Sequence, residues 1–146
     1  MHKRIALIVS LLMVFPALPL AAFDLTGYWT SGSGTVYQFV QKDRNVIATY
    51  VSPNANQAAT GTKPGDIAFV GDVLGKVVSG VFHQRTPLKD RERCPATWYV
   101  TTNLILVVND DASVMEGPVV VAHQNGQCQN DDRSVALVNL KRSAKP

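Results

Sequence analysis

Short runs rich in Val, Ile, Thr, Tyr and Phe, each cut off by Gly, Asn, Asp or Pro, recur along residues 24–142. No stretch there sustains apolar residues at three- and four-residue spacing. The pattern predicts an all-β chain of eight strands: Asp24–Thr30, Thr35–Gln41, Asn45–Ser52, Asp66–Gly71, Lys76–His83, Trp98–Val108, Ser113–Ala122 and Ser134–Arg142. Their connections alternate in length. Links 42–44, 72–75 and 109–112 are short, whereas 31–34, 53–65, 84–97 and 123–133 are mostly long. In an up-and-down meander successive links fall at opposite ends, so one end is tightly closed and the other carries a crown of loops. Closing eight antiparallel strands into a barrel removes the edges that invite aggregation. The interior of such a barrel is filled by side chains or holds one small ligand.

Cys94 and Cys128 are the only cysteines. They fall in the fifth and seventh links, both at the long-loop end, where a disulfide requires their α-carbons within about 7 Å. A disulfide is the expected state, with a chain-entropy contribution of about 3–4 kcal/mol at most. Zinc is the competing reading, but there is no CxxC spacing and no further ligand nearby. The start of the chain fits an oxidising destination. Met1-His2-Lys3-Arg4 is basic, Ile5–Phe15 is apolar apart from Ser10, and small residues close the segment at Ala21-Ala22. Residues 1–22 therefore read as a signal peptide and residues 23–146 as a single barrel domain, periplasmic or secreted. The net charge of +3 includes Lys3 and Arg4, so the remainder is near balance, which argues against nucleic acid as a partner.

Gly27-Tyr28-Trp29 resembles the first strand of the calycin superfamily, the lipocalins and avidin-like barrels. The resemblance implies that Trp29 closes one end of the core and that a basic residue of the last strand, here Arg142, packs over it. Residues 24–52 are most similar to the avidin-like members. There, Ser31 and Thr35, two and six positions after the Trp, together with Tyr50 and Ser52, match positions that hydrogen-bond the head group of biotin. The likeness ends at that point: the remaining tryptophan, Trp98, aligns with none of the family's ligand-walling positions, which speaks against biotin itself.

Further candidates sit at the long-loop end. His83 and His123 end the fifth and seventh strands, too far apart in the meander for a metal pair to be expected. The segment His83–Pro95 is the most charged, with Arg85, Lys89, Arg91 and Arg93, and suits an anionic ligand, an acidic partner surface or simply a solvated loop. Ser52–Gly65 lacks bulky apolar residues and reads as a mobile lid. No G-x-S-x-G, H-E-x-x-H or free Cys beside a His occurs, and Asp110-Asp111 and Asp131-Asp132 read as turn formers. The expected function is a non-enzymatic, cofactor-free binding module. It holds a small ligand through Ser31, Thr35, Tyr50, Ser52, His83, Arg85 and His123, or presents its loops to an exported protein partner.

Overall fold

A computed structural model describes residues 23–86, 94, 99–124 and 127–146. Eight strands form a closed antiparallel barrel in which every strand pairs with its neighbours in sequence. They are β1 (Gly27–Ser31), β2 (Val36–Lys42), β3 (Asn45–Ser52), β4 (Ile67–Leu74), β5 (Val77–Arg85), β6 (Tyr99–Val108), β7 (Val114–Gln124) and β8 (Asn130–Ser143). This is the expected up-and-down barrel. The disulfide joins Cys94 to Cys128 with α-carbons 5.5 Å apart, so both sulfurs do reach one rim. A disulfide is compatible with an exported protein. Among the described residues, no helix is long and apolar enough to cross a membrane.

Strand alternation sends Trp29, Tyr37, Phe39, Val46, Ala48, Tyr50, Phe69, Val73, Val78, Leu104, Leu106, Met115, Val119 and Leu140 into one core. Trp29, Phe39 and Phe69 run through it as an aromatic spine, with centroids 6.0 and 6.4 Å apart. The Phe69 ring lies against Gly71 and Gly80, which face each other across β4 and β5. A Cβ on either glycine would collide with that ring and with strand carbonyls, so only glycine leaves room for it.

The closed end is built on Trp29, which is fully buried. Its indole Nε1 donates to the Leu25 carbonyl at 2.9 Å, which draws residues 23–26 across the barrel end. Gln41 fixes the same segment by accepting from Leu25 N at 3.0 Å. Arg142 lies over the indole, 4.7 Å from its centroid, as expected. Its guanidinium also donates to three carbonyls: Asp24 at 2.7 Å, Thr26 at 3.0 Å and Ala112 at 2.9 Å. The β1–β8 seam has only four residue pairs, Tyr28↔Ser143 to Ser31↔Leu140, and Arg142 stands opposite Trp29 within it.

Several boundaries differ from the sequence expectation. Asp24–Thr26 is not strand, because its groups are engaged with Trp29, Gln41 and Arg142 instead of a ladder. β4 runs on to Leu74, since Val73 is a core residue and the hairpin needs only Gly75 and Lys76, with Gly75 at φ 58°. Residues 130–133 belong to β8, which pairs with β7 from Val114↔Lys141 to Gln124↔Asn130, so Asp131 and Asp132 are strand residues and not a turn. The expected loose link 53–65 contains a short helix, α1 (Ala55–Ala59).

Trp29→Ala should cost about 3–5 kcal/mol in chemical denaturation, because a large buried ring is deleted from the spine. Gly80→Ala should also destabilise strongly, although it adds a better strand former, because its methyl group meets backbone that cannot yield. A neutral Gly80→Ala would refute this account of the Phe69 seat.

Candidate functional site

The long-loop end is roofed by residues 53–66. Asn54 caps α1 by accepting from Gln57 N at 3.0 Å, while the Gln57 side chain accepts from Asn54 N at 3.0 Å. This reciprocal capping box stabilises a helix with no buried residue of its own. The Gln57 amide oxygen also accepts from Thr35 Oγ1 at 2.6 Å, and Gln57 hydrogen-bonds Tyr37. Asn54 Nδ2 donates to Ser33 Oγ at 3.1 Å, and Ser33 in turn contacts Ser31 Oγ at 2.9 Å. One face of the roof is therefore tied towards β1 and β2 through polar side chains.

The far side of the roof is held by charge. Arg85 Nε and Nη2 both lie 2.9 Å from Asp66 Oδ2, with side chains only 16% and 20% exposed. Gly65 N donates to the Tyr50 carbonyl, and Tyr50 N to the Asp66 carbonyl, which carries β3 into the same corner. Partial burial works against the Asp66 carboxylate, but the bonds from Arg85 and Lys63 N and the nearby positive charges outweigh it. Its pKa falls below 3.8. For Tyr37, burial is the larger influence and pushes the phenol up, against its bonds with Gln57 and Thr35.

The residues expected to meet a ligand are thus distributed unevenly. Ser31, Thr35 and Tyr50 stand at the long-loop end, but their polar groups are engaged: Ser31 with Ser33 and Thr35 N, Thr35 with Gln57, and Tyr50 OH with the His83 carbonyl at 3.2 Å. Ser52 is exposed on β3, opposite Val36. The alternation that turns Val78 and Phe82 inward sets His83 and Arg85 on the outer side of β5. His123 pairs with Asp132 in the β7–β8 hairpin, and β6 separates its strand from that of His83. Among the described residues, no group of three or more His, Cys, Asp or Glu side chains could hold a metal ion. Lys89, Arg91, Arg93 and Trp98, like residues 1–22 and with them the expected signal peptide, lie outside the described residues.

Beneath the roof is an interior cavity of about 50 Å³, lined by Tyr37, Phe39, Ala48, Ala68, Phe69, Phe82, Leu104, Val119, Val138 and Leu140. Two alanines among aromatic rings leave the space. This volume exceeds the roughly 10–15 Å³ that admits one water, but apolar walls offer few of the two to four polar partners an ordered water requires. Gln57 and the apolar lining of the cavity are the features that sequence reasoning missed. Comparison with protein-family models, with curated proteins and with solved structures returns no match for this chain.

The Asp66 tie has a defined pH signature. Its folded-state pKa is depressed, so its stabilisation is fully present above the ordinary carboxylate value of about 3.9 and is lost as pH falls through the folded value. Amide-exchange protection of the roof at Gly65 and Asp66, corrected for intrinsic rates, should be flat from neutral pH to about 5 and decline below about 4. Asp66→Asn should remove that acid limb. An unchanged limb in the variant would show that another group is responsible.

Proposed function

We propose that this chain is an exported, non-enzymatic binding module that takes a small apolar group into its barrel beneath the 53–66 roof. The apolar cavity carries this reading. Water there lacks hydrogen-bond partners, so an apolar guest displaces it without breaking bonds and gains contact with Phe39, Phe69 and Phe82. Drug-sized ligands occupy pockets of about 300–1,000 Å³, so the guest is a small molecule or the slender apolar end of a larger one whose polar part stays at the rim. Ser31, Thr35 and Tyr50 position the roof and rim in this reading. Ligand entry then requires Gln57 to leave Thr35 and Tyr37, which makes the roof a lid.

The test is binding of xenon, and separately of benzene, followed through the methyl NMR signals of Leu104, Val119, Val138 and Leu140. Saturable shifts confined to those residues are expected, and Ala48→Leu, which fills the cavity, should abolish them while the barrel stays folded. Absent shifts in the unmodified protein, or shifts that persist in Ala48→Leu, would reject the reading.

A further inference from the structure

The barrel wall is bonded unevenly around its circumference. β8 pairs with β7 along almost its whole length, but with β1 only from Leu140 to Ser143. On the other side, the β6–β7 ladder ends at Leu104↔Val119, although β6 begins at Tyr99 and β7 continues to Gln124. Among the described residues, the upper part of the β7–β8 hairpin therefore has no strand partner on either outer edge. It is an arm, rooted at Gly117 and Pro118. Pro118 has no N–H to give a ladder, and the pairs of Ile105 with Pro118 and Leu106 with Gly117 are missing from β6–β7. Eleven pairs join β7 to β8 and only three join β7 to β6, so the hairpin moves as one piece. Its root closes the cavity: Val119 and Val138 line it, and Leu104 lines it across the seam. Farther out, Ser134 to Leu137 are exposed on both faces of the strand.

A covalent bond ties this arm to the rim. Cys128 lies in the link between β7 and β8, and Cys94 in the link between β5 and β6. We infer that the Cys94–Cys128 disulfide is a redox strap that holds the β7–β8 arm against the cavity, and that its reduction opens the wall between Leu104 and Val119. An oxidising compartment keeps the strap closed. Its reductant is a dithiol. Cys94 is buried and Cys128 half-buried, so the attacking thiolate takes the sulfur of Cys128. Cys94 leaves as a thiolate and is protonated, and the second thiol of the reductant then resolves the mixed disulfide. Two electrons and two protons pass to the cysteines from the dithiol, which becomes a disulfide. Cys128 is also held at φ 64°, a left-handed conformation disfavoured for a residue with a Cβ, so opening the strap frees a strained turn. This regulation rests on the reading of the cavity as a guest site. With the strap closed, small guests enter under the roof; with it open, the side of the barrel admits broader ones.

The test follows methyl NMR signals in the presence of a soluble nitroxide, with the full chain oxidised, reduced by dithiothreitol, or carrying Cys94→Ser with Cys128→Ser. Opening the strap should raise nitroxide broadening severalfold at Val119, Val121 and Val138, while the buried Leu106 and Met115 stay shielded. Naphthalene, one ring larger than benzene, should shift the Leu104 and Val119 signals only in the two open forms. Unchanged broadening in both open forms, even with a lowered melting temperature, would make the disulfide a simple staple and overturn the proposal. So would broadening that spreads equally to Leu106 and Met115, or naphthalene binding that ignores the state of the sulfurs while benzene binds. Benzene bound by no form, with the arm still released, would instead reject the reading of the cavity and uphold the strap.

Discussion

The contact between Arg142 and Trp29 holds the two ends of the strand order together. An eight-stranded meander becomes a barrel only where its first and last strands meet, and here that meeting is four residue pairs long. Backbone bonds over so short a seam are few. Arg142 reinforces it by covering the indole with its guanidinium while bonding carbonyls from the segment before β1 and from the β6–β7 turn. Lysine could not do this, because a single ammonium lacks the planar fork that serves several carbonyls and stacks on a ring at once. The closed end is consequently tied by one side chain to the segment before β1, to the β6–β7 turn and to the Trp29 ring.

At that other end the roof rests on two unlike supports. One is neutral and geometric, the amide of Gln57 shared between its own helix cap and Thr35. The other is ionic and sheltered, Asp66 with Arg85. The first responds to anything that offers Thr35 or Tyr37 another partner, the second to acidity. Of the residues lining the space below, Tyr37 ties to the roof through Gln57, and the others are apolar, so opening the roof exposes apolar surface.

Much of this was readable from the chain because link lengths determine which end a residue reaches, whatever the errors in strand boundaries. That is why the sequence places Cys94 and Cys128 at one rim, whereas the contact of Arg142 with Trp29 is what the calycin resemblance implies and link lengths do not reach. Local polarity misled elsewhere. Asp131-Asp132 has the composition of a turn, yet cross-strand pairing with β7 extends β8 through it. α1 has no apolar stripe to betray it, and its only sequence signal is the Asn54-x-x-Gln57 box. Counting alternation outward from Val78 would have turned His83 and Arg85 away from the interior. The partnership of Thr35 with Gln57, twenty-two positions apart, had no local signal at all.

The outer row Val40, Ile47, Val70 and Val81 gives β2 to β5 apolar residues on both faces. Hydrophobicity alone therefore discriminates weakly between the native alignment of these strands and one slipped by a single residue, which exchanges their faces. Gly71 and Gly80 supply the missing discrimination. Only when they stand opposite each other does Phe69 find a seat, so two residues without side chains act as the alignment key for half the barrel.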